Sequence, residues 1–326
     1  MIADLAPACS GYLVKIVGAG YAGTKAVDGL VDSGQVDAEF IAVDTDRQSL
    51  EQSKATVKVE LNTRPTKGLC RGMPDPEVGR EAAEDSRHRL FTVLHEADLV
   101  FVVAGMGGAT GTGAAPVIAR KARESGVPTV GVVSRPFSFQ PRGVLEDAEE
   151  GINALRRCAD ALIIVPGDSV LPADQAMQMN ILDACHLMDN ALGLPVQCIL
   201  DLVRVPSLID YDLADLKCLF RSGRMGMAPI GTAVVGRASS EKGPAHAARM
   251  ALSSPFLDKS TRDADAVLAV FRMAAETFRF PEMIEAADTI IRAARPGARV
   301  AYNARFEDRP AKEISVTAIW LYDTVL

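Results

Sequence analysis

Residues 104 to 116 read Ala-Gly-Met-Gly-Gly-Ala-Thr-Gly-Thr-Gly-Ala-Ala-Pro, and this stretch constrains the chain more than any other. It follows Asp98-Leu-Val-Phe-Val-Val103, an apolar run of the kind buried on both faces of a parallel sheet. It precedes Val117-Ile-Ala-Arg-Lys-Ala-Arg-Glu124, a helical pattern closed by Gly126 and Pro128. A glycine-rich loop is therefore expected between a strand and a helix. Glycines let backbone N–H groups turn inward and let a ligand approach where a Cβ would intervene. The hydroxyls of Thr110 and Thr112 add donors, and the N-terminus of the following helix adds partial positive charge. Together these make a cradle for an anion, most naturally a phosphate group. No Gly-Lys-Ser/Thr follows, so the loop is not a Walker P-loop.

A second glycine turn lies near the N-terminus. Tyr12-Leu-Val-Lys-Ile-Val17 reads as a strand, Gly18-Ala-Gly20-Tyr-Ala-Gly23 as a turn, and a helix is expected to about Asp32. Glu39-Phe-Ile-Ala-Val43 is a second strand ending in Asp44. G-x-G-x-x-G after a strand, with an acid about 20 residues on, is the dinucleotide fingerprint, and alone it points to an NAD-type oxidoreductase. The glycine run at 104–116 does not belong to that pattern.

The remaining elements alternate. A helix is expected from Pro76, with Asp75 as its N-cap, to about Glu96. Strands follow at 128–134 and 161–165 with a helix at 142–158 between them. A long helix spans 173–192, ended by Gly193 and Pro195. Beyond it come strands at 228–235, 264–271, 299–303 and 313–321, and helices at 244–252 and 281–294. This order predicts an α/β fold with a doubly wound parallel sheet, whose ligands sit at the C-terminal ends of the strands. Asp212 and Asp215 fall three apart at a helix start; from spacing alone they read as first-turn acids complementing the helix dipole, with Asp210 as the cap.

A net charge of −7 argues against nucleic acid or an acidic membrane as a partner. No apolar run reaches about 18 residues, so no membrane insertion is expected, and the N-terminus lacks a signal-peptide layout. The expected location is cytoplasmic. The six cysteines and four histidines show no metal-ligand spacing, so no metal site built from protein side chains is expected.

Gly107-Gly108-Ala109-Thr110-Gly111-Thr112-Gly113, the Ala-Ala-Pro after it, and Arg135-Pro-Phe-Ser-Phe139 resemble the tubulin/FtsZ GTPase family, and bacterial FtsZ in particular. The resemblance spans about 12–322. It implies a Rossmann-type GTPase domain at 12–172 after an N-terminal tail at 1–11. A central helix at 173–193 then joins a smaller α/β GTPase-activating domain at 194–322, with terminal residues 323–326. It implies GTP and GDP as ligands, with Mg²⁺, and self-assembly into a head-to-tail homopolymer. It also assigns site residues. The phosphate side comprises Gly20, Tyr21, Ala22, Gly23, Lys25 and Asp44, Gly72 in the γ-phosphate loop, and Gly105, Gly107, Gly108, Ala109, Thr110, Gly111, Thr112 and Gly113. The ribose and base side comprises Pro136, Gln140, Arg142, Gly167, Cys185, Asp189 and Asn190. Asp210, Asp212 and Asp215 match the catalytic loop, whose acids in this family serve the nucleotide of the next subunit.

The resemblance is closest at the phosphates. Lys25 and Asp44 stand where the family carries Asn, Gln140-Pro141 replaces Glu-Gly, and Val144 replaces an Arg, with Arg142 nearby. Gly167 replaces an Asn, Cys185 replaces the aromatic under the base, and Asp189-Asn190 reverses the usual Asn-Asp order. The expectation is a divergent paralogue that binds GTP with reduced discrimination against ATP, and that works in cell division or a related filament. A non-hydrolysing partner of a conventional FtsZ is the alternative. No polar linker or terminal peptide for membrane adaptors is expected after residue 322.

Overall fold

The computed structural model describes residues 11–34, 37–62, 75–170, 180–204, 211, 213–220, 232–240, 242–254, 257, 260–273, 280–306 and 314–322. Gly72, Asp210 and Asp212 lie outside these residues. The chain divides into two compact units, Tyr12–Gly193 and one containing Leu194–Leu326.

The first unit begins with β1 (Val14–Ala19), α1 (Gly20–Ser33), β2 (Glu39–Asp44), α2 (Arg47–Gln52) and β3 (Val57–Glu60). Helices α3 (Pro76–Asp85) and α4 (Arg87–Leu94) precede β4 (Leu99–Gly105) and α5 (Ala109–Glu124). Then come β5 (Thr129–Arg135), α6 (Arg142–Arg156), β6 (Ala161–Pro166) and α7 (Gly167–Val170). The six strands lie in the order β3-β2-β1-β4-β5-β6, and every pair is parallel. The chain runs outward from β1 through β2 to β3, then crosses back to place β4 on β1's other side. Such a reversal leaves a crevice beyond the strands' C-terminal ends. All residues of β1 are buried, as are all of β4 before Gly105, because helices cover both faces of the sheet. Val17, Ile41, Val100 and Val102 pack on one face with Ala115, Ile118 and Ala119 of α5 and Ile152 and Leu155 of α6.

Helix α8 (Ile181–Arg204) crosses the division between the units. The second unit continues with α9 (Leu213–Phe220), β7 (Thr232–Ser240), α10 (Pro244–Ala251), β8 (Ala266–Met273), α11 (Phe280–Ile291), β9 (Arg299–Phe306) and β10 (Ile314–Leu321). Here β10 runs antiparallel to both β7 and β8, while β8 and β9 are parallel. Its core gathers Trp320, Phe271 and Val316 against Ala247 and Ala251 of α10 and Ala286 and Ile290 of α11.

Of the boundaries that differ from the sequence reading, three have a physical reason in the packing. The glycine-rich stretch is not a loop as far as Pro116: α5 begins at Ala109. Helix formation by Gly111 and Gly113 is driven by packing, because a Cβ on Gly113 would run into the Pro76 carbonyl and the Arg80 N–H of α3. The helix expected across 76–96 breaks at Ser86, whose hydroxyl accepts the N–H of Asn62. Gly193 and Pro195 do not end the central helix. Its later half is anchored through Asp201, whose carboxylate accepts from Arg272 (2.8 and 2.5 Å) and from Arg305 (2.5 Å), while Asn303 donates to its carbonyl (3.0 Å). Tertiary bonds of this kind outweigh local helix breakers.

Close contact between α3 and α5 sets where α5 starts. Replacing Gly113 by Ala should destabilise the protein by about 1–3 kcal/mol through overpacking. The expected readout is a lower thermal unfolding midpoint, and an unchanged midpoint would mean the two helices do not meet this closely.

Candidate functional site

A cleft of about 800 Å³ opens beyond the C-terminal ends of β1, β2 and β4. Ala19 and Gly20 form its floor with Gly105, Thr110 and Gly111, while Asp44, Thr45 and Asp46 form one wall. Two helices, α1 and α5, begin at this floor. Neither N-cap residue, Ala19 or Gly108, supplies a side-chain cap, and neither first turn carries an acid. The contrast with α2 and α3 is direct, since Asp46 and Asp75 cap those helices. Helices α4, α6 and α10 also start without a side-chain cap or a first-turn acid; α1 and α5 are set apart by meeting at one cleft, to which both dipoles present positive ends.

The two N-termini touch. Gly20 has φ +71°, and a Cβ there would stand 2.8 Å from the backbone nitrogen of Gly111. Gly107 has φ +97°, and a Cβ there would stand 2.7 Å from Val144 Cγ1. The Gly107 N–H donates to Thr112 Oγ1 at 2.8 Å, so Thr112 is buried and braces the turn instead of facing the cleft. Gly108 differs from its neighbours: nothing lies within 4 Å of where its Cβ would be. Its lack of a side chain is not required by the fold.

Asp44 is buried at the cleft wall. Its Oδ1 accepts the N–H of Thr45 at 2.7 Å and of Asp46 at 3.2 Å. Burial raises its pKa, while these two N–H groups act in the opposite sense. The carboxylate is therefore turned onto its own backbone, which lessens the repulsion that an acid beside a phosphate would exert. Beside it, the hydroxyls of Thr45 and Thr110 are 2.7 Å apart and buried, joining the end of β2 to the start of α5.

The sequence-derived positions separate into groups. Gly20, Tyr21, Ala22, Asp44, Gly105, Gly107, Gly108, Ala109, Thr110, Gly111 and Gln140 line the cleft. Gly23, Gly113 and Gly167 are buried where a Cβ would meet backbone atoms, so they serve packing. Pro136 lies beside Gly107, and Arg142 is exposed and paired with Glu146 at 2.7 Å. Cys185, Asp189 and Asn190 lie on α8. Of these, Asp189 is half-buried and electrostatically coupled to Lys25 and Asp28 of α1, whereas Asn190 is exposed and approaches Gly29. Sequence reasoning did not select Thr45, Asp46, Gln52, Met106 or Val144, which also line the cleft. The Asp44-Thr45-Asp46 run at a strand's C-terminal end was the available signal for the first two.

In the second unit, Asp215 is exposed in the first turn of α9. The residue at the head of this helix, Tyr211, accepts the Tyr302 N–H through its hydroxyl at 3.4 Å, and Arg299 donates to the Cys218 carbonyl. Both contacts fix α9 to β9.

A family model described as "Tubulin/FtsZ family, GTPase domain" matches residues 13–173, and one described as "FtsZ family, C-terminal domain" matches 226–321. The chain belongs to the tubulin/FtsZ family. Among solved structures it is similar to an empty FtsZ dimer from M. jannaschii at 28% identity, with 96% of this chain and 88% of that one covered and a TM-score of 0.86. A tryptophan-to-tyrosine point mutant of M. jannaschii FtsZ matches at 28% identity, covering 99% and 93%, with a TM-score of 0.87. The fold is also shared with CetZ2 from Haloferax volcanii, a GTPγS-bound protofilament, at 21% identity, 94% and 92% coverage and a TM-score of 0.79. The fold class read from the sequence is thereby established: a parallel-sheet GTPase domain followed by a smaller α/β domain.

Burial pushes the Asp189 carboxyl up to about 6, against the opposing influence of His186 and Lys25. The folded protein holds this proton more tightly than the unfolded chain, so stability falls as pH rises from about 4 to about 6. Asp189→Asn should remove that part of the slope. Denaturant unfolding at about pH 4 and pH 7 should show the variant gaining on the wild type at the higher pH. Parallel pH profiles would contradict this assignment.

Proposed function

We propose that this chain binds GTP and GDP in the cleft at the ends of β1, β2 and β4, hydrolyses GTP, and assembles head to tail with copies of itself. The observation that carries the reading is the meeting of two uncapped helix N-termini, α1 and α5, at one crevice. Their N–H groups are donors suited to phosphate oxygens, and Gly108 adds no side chain over them. Mg²⁺ fits the same place. It binds largely through phosphates and water with one or two carboxylates, and Asp44 and Asp46 are the acids on the cleft wall. When bound, the ion neutralises phosphate charge. Asp189, assigned to the base side, is a carboxylate of the kind that accepts the paired donors of guanine.

Hydrolysis is assigned to Asp212 and Asp215, which position or polarise water at the γ-phosphate of a neighbouring copy, with Asp210 beside them. Phosphoryl transfer depends chiefly on placement and electrostatics, for which a carboxylate is suited. A site completed only by a head-to-tail neighbour generates open filaments, because that contact does not close. The FtsZ dimer of M. jannaschii and the CetZ2 protofilament lend support to such assembly. A cytoplasmic filament serving cell division, alone or beside a conventional FtsZ, is the role most consistent with the family.

Two experiments test this. A Cβ at Gly108 has nothing within 4 Å, so Gly108→Val should keep its thermal midpoint while GTP affinity falls roughly 10- to 100-fold, the effect of losing a charge-assisted hydrogen bond or two. Unchanged affinity in a nucleotide titration would move the phosphates elsewhere. Asp212→Ala and Asp215→Ala should leave GTP affinity nearly intact and slow turnover by about 100-fold or more, and wild-type specific activity should rise with protein concentration. Specific activity independent of concentration would remove the shared site.

A further inference from the structure

Tyr21 is the residue that neither the fold nor the phosphate cradle explains. It occupies the second position of α1 and lines the cleft, yet it is 58% exposed. No core requires a tyrosine there, and the N–H groups of α1 offer phosphate contacts whatever side chain is present. Its placement is nevertheless fixed. Gly20, in its left-handed conformation against Gly111, sets the direction of the first turn. The Cα–Cβ bonds of a helix tilt toward its N-terminus, so a side chain at the second position leans over the mouth where the donors converge.

One turn further on, the Lys25 ammonium sits 5.8 Å from the centre of the Tyr21 ring, within cation–π range, and 3.4 Å from Asp28. Lys25 is in turn coupled to Asp189 on α8. Tyr21 and Lys25 thus stand together one turn apart on α1, with the ring at the cleft and the ammonium behind it. A ring held on one side by an ammonium, and still largely open to solvent, is a stacking platform without an occupant of its own.

Resting on the nucleotide reading above, we infer that Tyr21 is a specificity-determining residue that stacks on the nucleoside part of the ligand. The aromatic seat is supplied by α1, with Lys25 holding the ring in place. A base has a π-face whatever its hydrogen-bonding edge, so this contact strengthens nucleosides over bare polyphosphate but does not choose guanine over adenine.

The test compares GTP, ATP and inorganic tripolyphosphate on the wild type, Tyr21→Phe and Tyr21→Ala. Removing a base-stacking aromatic weakens binding roughly 5- to 100-fold. Tyr21→Ala should lose affinity for GTP and ATP in that range and keep its affinity for tripolyphosphate; Tyr21→Phe should retain all three. In proton NMR, bound GTP should show an upfield ring-current shift of guanine H8 on the wild type that is missing on Tyr21→Ala. Equal loss for nucleotides and tripolyphosphate would overturn the inference, since the ring would then act on the phosphates or on the fold. Unchanged GTP affinity would overturn it as well. A wild type that binds neither GTP nor tripolyphosphate would instead refute the nucleotide reading itself, and this inference with it.

Discussion

Everything at the cleft depends on how closely α1 and α5 approach. Backbone meets backbone at Gly20 and Gly111, with no room for a side chain on Gly20. The approach holds only because α5 is pressed from its other side by α3, where Gly79 and Gly113 also exclude a Cβ. β4 positions the same helix from below, since the Gly105 carbonyl oxygen lies against Gly111. The helix starts are therefore held by packing and not by caps. A cap residue at either end would take one of its first-turn N–H groups and compete with a ligand for it. The fold thus brings two uncapped helix starts together at one place, held by tightly packed backbone around them.

The second unit is stabilised by a different interaction. Asp201, almost wholly buried, receives two arginines from neighbouring strands, and its own carbonyl is met by Asn303. Desolvating three charges is costly unless the geometry satisfies them, which the two-pronged Arg272 contact does. The network joins α8 to β8 and β9. It also accounts for a helix that continues through a glycine and a proline.

The parallel sheet of the first unit was legible because β4 and β6 are apolar runs and β1 and β5 are largely so, with glycine or proline punctuation. The phosphate-side residues were legible for a related reason, since glycines at strand ends report where a backbone must come close. What the sequence concealed was tertiary. Nothing in Ala109-Thr-Gly-Thr-Gly announces a helix, because glycine disfavours one until a neighbouring helix needs the space. Helix α2 and strand β3 were overlooked; they are short and half-exposed, and α2 depends on a single Asp46 cap. Glycines with opposite roles also look identical in sequence. Gly113 is required by its neighbours and Gly108 is not, and only the surrounding atoms tell them apart.

Among the described residues, the lining of the cleft includes two carboxylates and no lysine or arginine. Attraction for an anionic ligand then comes from fixed peptide dipoles and hydroxyls, which neither titrate nor dissociate near neutral pH. Dipolar fields fall off faster with distance than those of net charges, so the cleft has little reach into solution and gives weak electrostatic steering. Ligand capture by such a site is governed by contact instead of long-range attraction.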